Sequence, residues 1–546
     1  MFDWFRKISF WKYKGKTKKI IEKINENDEK KYVILEAETG TGKSAIAITA
    51  CRSYDYGYII TSTRQLQDQY YEDFGNDFSL GNMKGKKAYR CAEDELATCN
   101  NGRCLYEKKI FKKCMTCGNC PYYSARDKAD LSNIFLTNYH YFLSASSGEG
   151  GLKKRKVLVI DECHLLEDIL SEWAKIDLWL EELNNKYDLL DGLDIKKMVE
   201  LNSGPYYDDN SLDKNVKWIK EIYNLLISKK DELKEIIDFN SSNKKKSELS
   251  GLLRTEDEIE QINDDLNSLT NLITKIEQFL TDKNKDKNWL ITQYANDGIT
   301  LTPLDVSWLF KRYIDSKAID KIIFMSATIL DLNIFKKTFD LDDEKTICIR
   351  CESDFNPDKS PIIIQPTCKM DYNSLKMEEN LSKIANKVEE ILELHNEEKG
   401  IIHAGNAKII KYLKDHINND RMLYRLNDIT NDTIVWSHQH SKEPTVLVSS
   451  SLAEGVDLKD DLSRFQIIIK LPFANLQDVR IKKKSKMGDW YLNNMFMKFV
   501  QQCGRSTRNI DDFSKTYVLD GSFWYWFHKA KEKGWFSGNF LRRIKK

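Results

Sequence analysis

Residues 37–44 read Ala-Glu-Thr-Gly-Thr-Gly-Lys-Ser, and these are the residue types that hold a triphosphate. Gly40 and Gly42 let backbone N–H groups come close to phosphate oxygens at a helix N-terminus, where anions are favoured. Lys43 is expected to reach the β- and γ-phosphates, and Ser44 to place its hydroxyl on Mg²⁺. Glu38, Thr39, Gly40, Thr41, Gly42, Lys43 and Ser44 are the expected nucleotide-binding residues. Ala37 stands where the strict pattern has glycine. The apolar run from Tyr32 to Leu35 predicts a buried strand before the loop, and Ala45–Ala50 predicts a helix after it. Strand, glycine loop and helix are the context the motif requires.

A second apolar run, Val157–Ile160, ends in Asp161-Glu162-Cys163-His164. A carboxylate at the C-terminal end of a buried parallel strand is where Mg²⁺ is held opposite a phosphate loop. Asp161 is expected on the metal, Glu162 as the base that polarises the attacking water, and His164 as the link between nucleotide state and the rest of the chain. A third run, Ile322–Ile329, carries Ser326-Ala327-Thr328. Further on, Gln501-Gln-Cys-Gly-Arg-Ser-Thr-Arg508 places two arginines three residues apart, on one face of an expected helix. Arg505 and Arg508 are expected to stabilise charge on a transferring phosphoryl group, with Gln501 near the γ-phosphate.

Six of the twelve cysteines fall between Cys91 and Cys120: these two with Cys99, Cys104, Cys114 and Cys117. Cys114-x₂-Cys117-x₂-Cys120 with an upstream cysteine suits zinc. Four thiolates equally suit a [4Fe–4S] cluster. Six metal-free structural thiols are the third reading, disfavoured because clustered exposed thiols oxidise. Cys51, Cys163, Cys348, Cys351, Cys368 and Cys503 are expected to be buried as small hydrophobes.

The 546 residues exceed one hydrophobic core. Lysine plus arginine number 85 against 84 acidic residues, so any nucleic-acid surface is a local patch. No apolar run reaches membrane length and Met1–Lys19 does not read as a secretory leader, so a cytoplasmic location is expected. Between His164 and Ser326, apolar residues recur at helical spacing over Val216–Phe239 and Ile259–Phe279. The polar, lysine-rich stretch Asn240–Ser250 separates them and predicts a hairpin turn. This is a helical insertion. A free-standing coiled-coil interaction arm is its competing reading.

In this order the motifs resemble those of superfamily 2 helicases, and within them the XPD/DinG branch of iron–sulfur helicases. The resemblance is carried by Glu36-Ala37 and Thr39–Ser44, with Glu38 a departure. It is carried also by Lys84–Cys91, Cys120-Pro-Tyr-Tyr-Ser-Ala-Arg126, Asn138–Phe142, Thr302–Ser307, Met325–Thr328 and Glu454-Gly455-Val456-Asp457. It implies an α/β fold of two RecA-like P-loop motor domains, with an inserted iron–sulfur domain and a helical arch. The implied division is 1–84 with 132–164 and 288–330 for motor domain 1, 85–131 for the cluster domain, 165–287 for the arch and 331–546 for motor domain 2.

The resemblance also implies Gly455 and Asp457 in the nucleotide site. It implies Cys91, Cys104, Cys114 and Cys120 as cluster ligands, with Cys99 and Cys117 as alternates. ATP, Mg²⁺ and [4Fe–4S] are the implied cofactors. Single-stranded and forked duplex DNA are the implied partners of a monomer that moves 5′→3′. A single-strand-dependent ATPase that remodels protein–DNA complexes without unwinding is the alternative. A nucleotide-gated binding module without turnover is disfavoured by the presence of Glu162 and both arginines. The glutamine that reads adenine upstream of the loop in many relatives has no counterpart before Gln65.

Overall fold

The computed structural model describes residues 14–75, 79–93, 97–102, 119–147, 151–187, 211–243, 254–294, 298–424, 431–449, 458, 460–506 and 511–546. It packs as two compact units. One contains Met1–Ser53, Val159–His164 and Lys321–Lys546, and the other Tyr54–Leu158 and Leu165–Asp320. The strand Arg155–Asp161 begins in the second unit and ends in the first.

In the first unit, the strand Tyr32–Ala37 is buried along its whole length. It pairs in parallel with Thr346–Cys351 on one side and with Ala318–Ser326 on the other. A strand covered on both faces reads as a continuous apolar run, which is why Tyr-Val-Ile-Leu signals it so clearly. The same unit holds a seven-stranded sheet in the order Met422–Tyr424, Val446–Ser449, Gly400–His403, Phe465–Ile468, Lys515–Asp520, Ile362–Cys368, Ile544–Lys545. Every pairing in it is parallel. Successive residues of these strands enter opposite cores. Ile467 and Leu519 pack with Ile384, Val388 and Ile402. Their neighbours Ile468 and Val518 pack with Phe496, Phe499 and Phe523. The two-residue period of the strand thus fills a core on each face of the sheet.

The second unit holds the parallel strands Gly57–Thr61, Ile134–Asn138 and Leu80–Asn82. It also holds an antiparallel sheet of Ile176–Trp179, Gly298–Pro303 and Trp289–Tyr294. The expected helical insertion is present as Ser211–Asn243 and Glu256–Thr281, which pack together. Ile219, Ile222, Leu226, Leu269, Ile273 and Ile276, all at the helical spacing read from sequence, are buried. The second helix opens on a capping box: Thr255 accepts from the Glu258 N–H while the Glu258 carboxylate accepts from the Thr255 N–H.

Candidate active site

The phosphate loop leaves the strand at Ala37 and enters the helix Lys43–Ser53. Gly40 and Gly42 have φ of +83° and +81°, the left-handed region that glycine enters without penalty. Gly40 has a second constraint: a Cβ there would lie 2.4 Å from the Phe355 ring. Lys43 Nζ turns back over the loop and donates to the Ala37 carbonyl at 3.3 Å. Thr41 Oγ1 donates to the Glu38 carbonyl at 2.7 Å. The loop is therefore closed on itself, with its lysine held at the mouth.

Asp161, at the end of its strand, is 2% exposed. Its Oδ1 accepts the Glu162 N–H at 2.9 Å, and Glu162 itself has φ of +51°. A left-handed non-glycine residue is costly and needs its surroundings to hold it. Here the aspartate supplies one fixed bond, and the Glu162 carboxylate is set 3.3 Å from His164 Nδ1. That same nitrogen is 2.8 Å from Ser326 Oγ. Ser326 Oγ accepts the Thr328 N–H at 3.1 Å, and Gln501 Nε2 donates to Thr328 Oγ1 at 2.9 Å. Motifs far apart in sequence thus meet in one line: Glu162, His164, Ser326, Thr328, Gln501. Cys163, between the two site residues, is fully buried. Burial first, then the Glu162, Asp161 and Glu36 carboxylates, push its thiol well above the usual range, so it stays neutral.

Arg505 departs from expectation. The helix that carries Gln501 spans Trp490–Cys503 and stops at Gly504, whose N–H returns to the Val500 and Gln501 carbonyls. Arg505 therefore lies in the turn beyond the helix and not on its face. Its charge faces His403, the last residue of Gly400–His403; burial and then Arg505 hold that imidazole down at about 4. Arg508, Gly455 and Asp457 lie outside the described residues.

Two glutamates matter more than the sequence suggested. Glu36 sits in the buried strand and accepts the Ile329 and Leu330 N–H groups, both at 2.7 Å, and Arg350 Nε at 2.8 Å. It fixes the chain just after Ser326-Ala-Thr328, where Leu330 takes φ of +64°. Arg350 Nη2 also donates to the Leu330 carbonyl. Glu38, the departure from the family loop, accepts from Ser353 N, Ser537 Oγ and Asn539 Nδ2. A carboxylate inside an apolar strand was the available signal for Glu36, since a buried charge needs donors.

The cysteine-rich region belongs to the second unit. Cys91, Cys99 and Cys120 are buried, at 8%, 4% and 4% exposure. Cys99 Sγ lies 3.9 Å from Cys120 Sγ, and burial first, with Cys120 and Cys91 adding to it, raises the Cys99 thiol to about 11. A Cβ on Gly102 would come within 2.8 Å of Cys91 Sγ, so only glycine leaves that sulfur its room. Cys104, Cys114 and Cys117 lie outside the described residues. Among the described residues no three His, Cys, Asp or Glu side chains converge on a metal position. Of the scattered cysteines, Cys51, Cys163 and Cys503 are buried as expected. Cys348, Cys351 and Cys368 are only half-buried, on strands near a sheet edge or a strand end.

Comparison with known proteins agrees with these motifs. Residues 383–536 match the model of the helicase C-terminal domain, and residues 13–190 that of the type III restriction enzyme res subunit. The ATP-dependent DNA helicase CHL1 of Vanderwaltozyma polyspora is 23% identical over 73% of this chain, which spans 56% of that protein's length. The ATP-dependent DNA helicase YoaA of Haemophilus influenzae is 22% identical over 90% of this chain and 88% of its own. A solved XPD helicase superposes with a TM-score of 0.64 at 15% identity, covering 96% of this chain and 99% of that one. Xpd4 of S. tokodaii gives 0.58 at 14% identity, over 97% and 99% of the two chains. In its motif order and its α/β fold with parallel sheets, this chain is similar to ATP-dependent DNA helicases of the CHL1, YoaA and XPD kind.

Proposed function

We propose that this chain is an ATP-dependent DNA helicase that moves 5′→3′ on single-stranded DNA and opens forked duplexes. The line of contacts from Glu162 through His164, Ser326 and Thr328 to Gln501 carries the reading. It joins the residues that would handle water and γ-phosphate to the helix preceding Arg505. Lys43 would neutralise phosphate charge and Glu162 would orient the attacking water. Mg²⁺, held by Ser44 and Asp161, would supply charge neutralisation between the phosphates. Arg505 and Arg508 would complete the site on the γ-phosphate, with Gly455 and Asp457 alongside. The division into two motor domains, a cluster domain over 85–131 and an arch over 165–287 is part of the same proposal. So are a monomeric state and a cytoplasmic location.

A [4Fe–4S] cluster fits the cysteine-rich region. Cys99 Sγ and Cys120 Sγ lie 3.9 Å apart, Cys91 is buried as they are, and Gly102 keeps space beside the Cys91 sulfur. Contact with Cys120 favours Cys99 as a ligand with Cys91 and Cys120. One of Cys104, Cys114 and Cys117 would complete the set, in place of the pair Cys104 and Cys114 expected from the family spacing. The cluster would staple this segment beside the passing strand and contribute folding energy.

Strand displacement on duplexes with a single 5′ or 3′ tail tests the reading. Opening of the 5′-tailed duplex with ATP, abolished by Lys43→Ala, is expected. DNA-stimulated hydrolysis without displacement would establish the translocase instead. Undiminished hydrolysis in Lys43→Ala would overturn both.

A further inference from the structure

A carboxylate in a phosphate loop opposes the anion the loop exists to hold, so Glu38 needs a reason to be there. Its surroundings supply one. Glu38 Oε2 accepts the Ser353 N–H at 2.8 Å and Asn539 Nδ2 at 3.4 Å, while Oε1 accepts from Ser537 Oγ. Ser353 Oγ also donates to the Thr39 carbonyl at 2.9 Å, and the Glu38 N–H to the Cys351 carbonyl at 3.1 Å. Ser537 caps the short helix Gly538–Arg543, accepting the Phe540 N–H at 3.0 Å. From the far end of that helix, half-buried Arg543 donates through Nη2 to the Cys503 carbonyl at 2.7 Å and through Nε to the Ser360 carbonyl at 2.8 Å. Cys503 is the last residue of the helix that carries Gln501, two positions before Arg505.

We propose that Glu38 is a positioning residue: through Ser537 and Asn539 it sets the phosphate loop in register with the C-terminal segment that holds the end of the Gln501 helix. The carboxylate is engaged by Ser537 and Asn539 of that segment and by the Ser353 N–H. Loop movement on nucleotide binding is thereby passed to Cys503 by a route separate from the His164–Ser326–Thr328 line. The inference rests on the ATPase reading.

The test uses ATP turnover of the full chain in four forms: parent, Glu38→Gln, Ser537→Asp and the double variant. Ser537→Asp keeps a helix-capping oxygen but faces Glu38 with a second carboxylate. It is expected to lower kcat about tenfold with KM for ATP within about twofold, because alignment rather than ground-state binding is lost. In the double variant the side-chain amide introduced at position 38 can donate to the new carboxylate. There kcat is expected to return to within about threefold of the parent. Parental turnover in Ser537→Asp, or a double variant no faster than Ser537→Asp alone, would overturn the proposal. A parent without turnover would overturn the ATPase reading instead. The thermal midpoints of the same four proteins would then decide the contact: rescue in the double variant supports it and additive losses refute it.

Discussion

His164 Nδ1 stands 2.8 Å from Ser326 Oγ and 3.3 Å from Glu162 Oε2, so one ring nitrogen faces both the expected base and the next motif. With Nδ1 protonated, the shorter bond is to the serine, and the carboxylate takes a weaker share. Displacement of Glu162 by a water and a phosphate would shift that balance toward Ser326. Under the proposed function, this nitrogen would be the contact through which nucleotide state reaches Thr328 and Gln501. Ser326→Ala removes the hydroxyl while leaving the phosphate loop intact. Turnover is expected to fall on the order of tenfold, the loss of one hydrogen bond of about 1.5 kcal/mol. KM for ATP is expected to stay within about twofold. Steady-state ATPase kinetics check this, and a rise in KM with unchanged kcat would place Ser326 in binding rather than in coupling.

Glu36 makes a stability prediction. Its oxygens satisfy two buried backbone donors after the Ser-Ala-Thr motif, together with Arg350. Glu36→Ala strands all three and is expected to cost about 3 kcal/mol. Arg350 is 46% exposed, so solvent takes up part of its lost pairing. Glu36→Gln keeps an acceptor for the N–H groups and is expected to cost about half as much. Denaturant unfolding measures both, and equal losses would mean that the charge on Glu36, not its acceptor geometry, holds the loop.

The motifs were legible because they combine an apolar run with chemistry at its end. Tyr32–Ala37 is a buried parallel strand and Arg155–Asp161 a buried strand, and such strands announce themselves by continuous Val, Ile and Leu. The helix pair was legible from its 3- and 4-residue spacing. Its second helix was even marked by Thr255-x-x-Glu258, a capping signal the periodicity had not used. Arg505 falls off the expected helix face because three-residue spacing cannot show that the helix stops at Cys503. Glu36 and Glu38 were silent for another reason. Their partners lie hundreds of residues away, at Leu330 and Ser537, and only the fold brings those donors to them. Cys99 likewise gained its place beside Cys120 from the Arg90–Thr98 bridge, a pairing too short to leave a sequence pattern.

Two histidines predict the acid response. Burial holds His403 and His438 at about 4, against an ordinary 6.5. His438 is locked neutral: its Nε2–H donates to the Leu462 carbonyl at 2.8 Å, and its Nδ1 accepts from Thr445 Oγ1 at 2.8 Å, with Lys399 nearby opposing protonation. His403 faces Arg505 and Gln466. Below 6.5 the unfolded chain binds protons that the folded chain refuses. The stability these groups allow is therefore full above 6.5 and is lost as pH falls toward 4. Each contributes a loss on the order of 2 kcal/mol by about pH 5. Melting curves from about pH 7.5 down to about pH 5 should show the midpoint falling. His438→Gln, having no such proton to bind in the unfolded chain, should show a shallower fall than the parent. An identical slope would remove His438 from the account.

The cysteines make the last prediction, and it concerns composition before activity. At a pKa raised to about 11, the Cys99 thiol is protonated near neutral pH unless a metal displaces its proton. Cys120 Sγ, 3.9 Å away, would repel a thiolate there rather than stabilise it. A bound cluster is what would turn both into ligands. Protein purified without oxygen is expected to be brown and to contain about four irons and about four acid-labile sulfides per chain. Cys99→Ser should lower that content well below the parent, and so should Cys120→Ser. Cys51→Ser, at a buried thiol in the helix after the phosphate loop, should leave it unchanged. Full iron in Cys99→Ser would return the inner ligand positions to Cys104 and Cys114. Stoichiometric zinc with no sulfide would replace the cluster by a tetrahedral site, and would leave Lys43, Asp161 and Glu162 where they are.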